Sequence, residues 1–273
     1  MMDVEEIQAK SLEIRIAVLE MISKSGSSHV GSALSIVDLL TCLYFNILKI
    51  DELDDKWPLR DRFILSKAHA GAALYATLAL RGFFEKELLK TYYQNGSSLP
   101  GHADRHGVPG IEVSSGCLGH GLAIGTGMAY AQKYDSYPCH TYVLMSDGEC
   151  NEGSVWEAAL FASTHKLDNL FAIVDYNRLQ GMGSVEEIIQ LEPMVEKWAS
   201  FGWRVLEVNG HDHAEIISSL KRDSKKSGKP TLVLAHTTKG KGVSFMENDN
   251  LWHYRTPNAD ELKEALLELK AIL

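Results

Sequence analysis

Thr141-Tyr142-Val143-Leu144-Met145-Ser146-Asp147-Gly148-Glu149 and, further on, Leu170-Phe171-Ala172-Ile173-Val174-Asp175-Tyr176-Asn177-Arg178-Leu179 are the stretches that decide the fold. Each opens on a short apolar run without polar alternation, the composition of a strand covered on both faces of a parallel sheet. Between them, Ser154 to His165 has the spacing of a helix, which makes the unit a strand–helix–strand crossover. Two consecutive parallel strands leave their last residues at the same sheet edge, where ligands bind in such folds. Asp147 and Asn177, 30 positions apart, can therefore converge. One carboxylate and one amide oxygen are hard ligands suited to Mg²⁺, Ca²⁺ or Mn²⁺. Two side chains are too few to hold such an ion tightly. Backbone carbonyls, water and the phosphate oxygens of a substrate or cofactor would have to complete the shell. Gly148 permits close approach of a diphosphate, and a helix beginning near Asn151 would direct its positive end at it.

Outward from this unit the alternation continues. Ile7, Ile14, Val18, Leu19 and Ile22 follow helical spacing up to Ser25-Gly26, and a second helix carries Leu39, Leu40, Leu43 and Tyr44. Arg62 to Leu65 reads as a strand, Ala70 to Leu80 and Leu122 to Gln132 as helices. On the C-terminal side come a helix over Pro193 to Phe201, a strand over Arg204 to Val208 and a helix over Ala214 to Lys226. A strand follows over Thr231 to Ala235, then a last helix near Asn258, where Asn258 and Glu261 have capping-box spacing. The expected fold is α/β, a doubly wound parallel sheet with helices on both faces. Residues 95–121 break the rhythm with seven glycines, three histidines and two prolines. A structureless loop that long is characteristically functional or disordered.

Composition narrows the function. A net charge of −9 argues against nucleic acid, which needs a clustered basic surface; the basic run Lys221 to Lys229 reads as a solvated helix face and the loop after it. No stretch approaches the roughly 20 apolar residues of a membrane span, and the acidic N-terminus lacks the pattern of a secretory signal. Cys42, Cys117, Cys139 and Cys150 are scattered without a C-x-x-C pair, which argues against a zinc site or disulfide framework and for the cytoplasm.

The run SDGECNEGSVWEAALFASTHKLDNLFAIVDYNRLQ resembles the thiamine diphosphate motif, with Ser146 in place of the first glycine of Gly-Asp-Gly, a change that leaves the ligand residues intact. It looks most like that of transketolases, in particular the N-terminal subunits of split ones, and the resemblance extends across nearly the whole chain. SGSSHVGSALSIVD, DRFILSKAHAGAALYA and LPGHADR are similar to the segments that supply substrate-facing histidines, here His29, His69 and His102. VSSGCLGHGLAIGTGMA is similar to the loop under the thiazolium, here Gly116 and Leu118, although a glutamine is common in the family where this chain has His120. TTKGKGVSFMENDNLWHYRTPN resembles the closing loop, whose histidine is His253.

The resemblance implies a single diphosphate-binding domain over 1–273, without the pyrimidine-binding and C-terminal domains of full-length members. It implies thiamine diphosphate held by His69, Gly116, Leu118, Asp147, Gly148, Asn177 and His253, and a divalent metal held by Asp147, Asn177 and the carbonyl of Leu179. The activity implied is transfer of a two-carbon ketol unit from a ketose (phosphate) donor to an aldose (phosphate) acceptor. The cofactor is the electron sink, and the catalytic set is His29, His69, His102, His253 and Glu152. Histidine suits proton transfers at hydroxyls because its ordinary pKa lies near neutrality. Glu152 reads either as an interface residue near a partner's glutamate or as an acid interacting with a helix dipole. His106, His165 and His211 read as surface or hydrogen-bonded structural residues. With the chain ending at Leu273, the glutamate that protonates the aminopyrimidine is expected from a C-terminal subunit, in a heterotetramer with two copies of each. Alternatives are an α subunit of a 2-oxo acid dehydrogenase, a fragment of a 1-deoxyxylulose-phosphate synthase and a non-catalytic cofactor-binding subunit. The histidine-bearing loops favour a polyhydroxylated sugar over a 2-oxo acid, and NEGSVWEA fits transketolase over the synthase.

Overall fold

A computed structural model describes residues 2–221 and 228–271 of the chain. Helix α1 (Val4–Ser25) starts on a reciprocal capping box between Asp3 and Glu6 and stops at Gly26, whose left-handed backbone returns its N–H to the Ile22 carbonyl. Short helices α2 (Val30–Ser35) and α3 (Val37–Cys42) follow, then strand β1 (Arg62–Leu65) and helix α4 (Gly71–Arg81). Helix α5 (His120–Tyr134) leads to β2 (Thr141–Ser146), α6 (Gly153–Thr164) and β3 (Leu170–Tyr176). The rest is α7 (Val185–Ile188), α8 (Met194–Ser200), β4 (Arg204–Asn209), α9 (His213–Leu220), β5 (Thr231–His236) and α10 (Ala259–Lys270), the last with the expected Asn258–Glu261 capping box. The helix expected over Ala214 to Lys226 is described only as far as Leu220; residues 222–227, and with them most of the basic run, lie outside the described residues.

The five strands among the described residues are all parallel, in the order β1-β2-β3-β5-β4. The two-residue period of a strand sorts its side chains into two cores. Tyr142, Leu144, Phe171, Ile173, Val233 and Ala235 point into one, which α1, α3, α4 and α10 complete. Val143, Met145, Ala172, Val174, Leu232 and Leu234 point into the other, closed by α5, α6 and α8. Hence β2 and β3 are buried from end to end and carry no alternation, whereas β4 is partly exposed at the sheet edge. Helix α5 approaches β2 closely enough that a Cβ on Gly125 would lie 2.4 Å from Val143 Cγ2. Among the described residues no helix is long and apolar enough to cross a membrane, and none of the four cysteines forms a disulfide, Cys117 being exposed.

The glycine-rich segment 95–121 is ordered without regular structure up to His120. Leu99, Ala103 and Val108 are buried in the first core. Ser115 donates from Oγ to the Leu65 carbonyl at 2.7 Å, and Tyr75 Oη donates to the His102 carbonyl at 2.9 Å. These ties hold the loop over the carboxyl ends of β1 and β2.

Candidate active site

At the carboxyl edge of the sheet lies a cleft of about 360 Å³. Its floor is the junction of β2 and β3. The strands pair as far as Ser146 and Asp175, and the next residues turn toward each other: Arg178 N–H donates to Asp147 Oδ2 at 2.6 Å, and Gly148 N–H to Asp147 Oδ1 at 2.7 Å. Arg178 has φ 63, a left-handed conformation that costs a non-glycine residue and is found where the surroundings enforce it. The reversal brings Asn177, Leu179 and Gln180 under Asp147 and Gly148, and all five line the cleft.

Asn177 Nδ2 donates to Asp175 Oδ2 at 3.0 Å. The amide is thereby oriented with its oxygen, which also accepts from Leu179 N–H at 3.0 Å, away from Asp175. Asp147 is 1% exposed, and burial, with the neighbouring charge of Asp175, pushes its carboxyl up to about 7. A buried carboxylate that forms no ion pair among the described residues, an oriented amide oxygen and a nearby backbone carbonyl form a donor set that fits a divalent ion. No group of three or more histidine, cysteine or acidic residues occurs among the described residues as an alternative metal site.

Four imidazoles form the opposite wall. The ring of His29 lies 5.1 Å from that of His69, 5.9 Å from His102 and 5.1 Å from His253, centroid to centroid. They arrive from four separate segments: the turn before α2, the 3₁₀ turn Ala68–Ala70 after β1, the glycine-rich loop and the 3₁₀ turn Asn250–His253. His29 has φ 74, and its N–H donates to the His253 carbonyl at 2.9 Å, which joins the first of these segments to the last. The expectation that these histidines titrate near neutrality is not met for three of them. Burial chiefly, with the positive charge of neighbouring groups, lowers His29 to about 4 and His253 to about 3, and drives His69 well below its ordinary value. These three are neutral imidazoles at pH 7.

Sequence reasoning missed the charged groups behind this wall. Lys67 and Asp175 are both fully buried and form an ion pair, and Asp175 also accepts from Ser35 at 2.7 Å and from Thr237. Lys67 itself lines the cleft, as do Ser32 and Tyr254. Lys239 is buried with four uncharged partners: the carbonyls of Leu179 and Gln180 at 3.4 Å, Asn250 Oδ1 at 3.0 Å and His253 Nδ1 at 2.9 Å. Burial first, then repulsion from Lys67, lowers its ammonium to about 8. The available signal was a charged residue inside an apolar run, as at Asp175, or two positions before a motif histidine, as at Lys67.

Gly116 and Leu118 line the cleft with His102. Glu152 does not: it is an exposed N-cap residue of α6, makes no capping hydrogen bond and packs against Gly119 beside the cleft. His106 pairs with Asp104 on the surface, His165 stacks on Phe161, and His211 donates to Asp38 while accepting from Thr238 N–H. A larger groove of about 650 Å³ runs between α1 and the 3₁₀ turn Lys86–Thr91, but there Glu13 pairs with Lys86 and Glu87 with Lys90 at the surface.

A floor of oxygen donors that fits a divalent ion, four convergent imidazoles and a sheet-edge cleft direct comparison to enzymes that hold a diphosphate cofactor. Residues 7–269 match the family described as transketolase, thiamine diphosphate binding domain. The chain belongs to the transketolase family. Its matched region is the cofactor-binding part of that family of transferases. It is 46% identical over 268 residues to an apulose-4-phosphate transketolase subunit of Phocaeicola vulgatus, covering 98% of this chain and 95% of the relative. It is 43% identical to the 6-deoxy-6-sulfo-D-fructose transketolase subunit SqwG of a Clostridium species, covering 97% and 96%. Among solved structures, the transketolase of Campylobacter jejuni superposes with a TM-score of 0.91 at 32% identity, over 98% of this chain and 43% of that one. A Pichia stipitis transketolase variant gives 0.90 at 33%, over 96% and 40%. The chain thus spans about two fifths of the length of these solved transketolases and nearly all of the two transketolase subunits.

Proposed function

We propose that this chain is the N-terminal, diphosphate-binding subunit of a two-subunit transketolase, a single domain over 1–273 that carries a two-carbon ketol unit from a ketose to an aldose once a C-terminal subunit joins it. One observation carries the reading: four imidazoles from distant segments meet over the Asp147–Asn177–Leu179 floor of one cleft. The names of the relatives that match over their full length, each a transketolase subunit, support the division of labour. They also favour sugars with an anionic terminal group. Pentose phosphates are the first substrates to try. The four free thiols suit a cytoplasmic protein.

In this reading Asp147, Asn177 and the Leu179 carbonyl hold Mg²⁺, or Ca²⁺ or Mn²⁺ in its place, and Gly148, His69 and His253 border the diphosphate, with Gly116 and Leu118 beneath the thiazolium. Bound thiamine diphosphate supplies the electron sink for cleaving the ketose carbon–carbon bond. The chain's own residues orient the sugar and manage its protons. The charged Lys239 ammonium has no acceptor lone pair, so it donates to His253 Nδ1 and leaves the imidazole proton on Nε2. His29, His69 and His102 can each accept from one sugar hydroxyl and donate to another. Being uncharged, His29 and His69 do so without repelling a metal-bound cofactor. Glu152, outside the cleft and exposed, is free to meet a partner subunit near that subunit's glutamate, in an assembly of two copies of each chain.

Ketol transfer from xylulose 5-phosphate to ribose 5-phosphate, with thiamine diphosphate and Mg²⁺, tests this for the chain alone and mixed with its candidate partner. Activity is expected only in the mixture, and lost in it for Asp147→Ala. Activity of the chain alone would refute the need for a partner.

A further inference from the structure

Gln180 is the residue of the cleft floor whose chemistry is left open. Its backbone is pinned, since its N–H donates to the Gly183 carbonyl at 2.9 Å and its carbonyl accepts from Lys239. Its side chain folds back over Gly148, where a Cβ would lie 2.8 Å from Cδ, 2.9 Å from Cγ and 3.1 Å from Oε1. The absence of a side chain at Gly148 is thus explained by this contact. Packing alone would be met by a methionine of similar length. What the amide adds is a donor, and that donor is unused: Nε2 is buried with no hydrogen-bond partner among the described residues. Such groups persist in native proteins where a ligand or ion supplies the missing partner.

The neighbourhood specifies the partner. A donor without an acceptor needs an oxygen, and the protein oxygens nearby are committed. Asp147 and the Leu179 carbonyl belong to the proposed metal floor, and the Gln180 carbonyl faces Lys239. The Lys239 ammonium, buried among uncharged partners, makes the same demand for negative charge. We infer that Gln180 is a diphosphate-binding residue, its Nε2 donating to a phosphate oxygen of the cofactor seated between Gly148 and Lys239. This rests on the cofactor-site reading above. The amide serves two states in turn: in the free chain it fills the space over Gly148, and in the loaded one it leans off the glycine to meet the phosphate.

Gln180→Met keeps the packing and removes the donor. Titration calorimetry of the full chain with Mg²⁺ and thiamine diphosphate, and separately with Mg²⁺ and inorganic pyrophosphate, should show both affinities about tenfold weaker, the size of a hydrogen bond to a charged group. The free variant should unfold no earlier than wild type, because an unsatisfied buried donor has been removed. Gln180→Glu, which puts a negative charge in the same place, should bind more weakly still. Equal affinity of Gln180→Met and wild type would overturn the inference. So would a loss seen with thiamine diphosphate but not with pyrophosphate, since the contact would then lie elsewhere on the cofactor. Asp147→Ala, run beside them, keeps the two readings apart. If it binds as tightly as wild type, the metal floor is wrong, whereas failure of Gln180→Met alone leaves that floor standing. Wild-type chain that binds neither probe refutes both.

Discussion

Replacing Asp175 by asparagine isolates the charge of the buried carboxylate behind the cleft. Oδ2 of Asp175 accepts from Ser35 Oγ, Lys67 Nζ and Asn177 Nδ2, and Oδ1 from Thr237 Oγ1. An asparagine with its oxygen at the Oδ2 position keeps three of those bonds. Its amino group then meets the Thr237 hydroxyl, which can rotate to accept. What is lost is the charge facing Lys67, whose side chain is 1% exposed against 0% for Asp175. Burial by itself would raise the Asp175 carboxyl, but Lys67 together with the hydrogen bonds from Thr237 and Ser35 outweighs it and holds the group below its ordinary range. The carboxyl is therefore ionised and forms an ion pair with Lys67. Removing one partner of such a pair costs about 3–5 kcal/mol, because the remaining charge stays buried without compensation. Asp147 is close enough to feel Lys67 and offsets part of this, which points to the lower end, about 3 kcal/mol. At about 2 °C per kcal/mol for a chain of this size, the melting temperature should fall by about 6 °C. Urea unfolding followed by tryptophan fluorescence should give the same loss as a lower midpoint at unchanged slope. The double variant Asp175→Asn with Lys67→Met removes both charges and should recover most of the stability. A single variant within about 0.5 kcal/mol of wild type, the scatter of an ordinary surface change, would refute the account. A double variant no better than the single one would refute it too.

Two further tests probe other parts of the fold. His29 is held neutral in the folded chain down to about pH 4; below its ordinary value near 6.5 the unfolded chain binds the proton first, so stability should fall as pH drops from about 6.5 toward 4. His29→Asn, which tolerates the left-handed backbone there, should narrow the gap between urea midpoints at pH 7 and pH 5, and an unchanged gap would remove His29 from the acid limb. Gly125→Ala should cost about 1–3 kcal/mol through its collision with Val143, whereas Gly127→Ala, two residues along α5 with open space around it, should stabilise by up to about 1 kcal/mol. Equal midpoints for the two variants would refute the close approach of α5 to β2.

The parallel strands and their two-faced burial were legible because each depends on local pattern, whereas the order β1-β2-β3-β5-β4 depends on which strands meet in space. Apolar runs at Thr141–Met145 and Leu170–Val174 can only be strands covered on both sides, and their polar ends had to share an edge. The convergence of Asp147 and Asn177 was legible for the same reason, since both are fixed by the ends of adjacent strands. The four histidines were legible through motif resemblance alone, as nothing in local periodicity makes His29 and His253, 224 positions apart, neighbours. Tertiary structure decided what could not be local. It brought Lys67, Asp175 and Lys239 together behind the cleft, half-buried three imidazoles among positive groups and so lowered them out of the neutral titration range, and laid Gln180 over Gly148. A pKa or an unpaired donor is a property of the dielectric and of the groups within a few ångströms. Those come from segments that meet only when the sheet has formed.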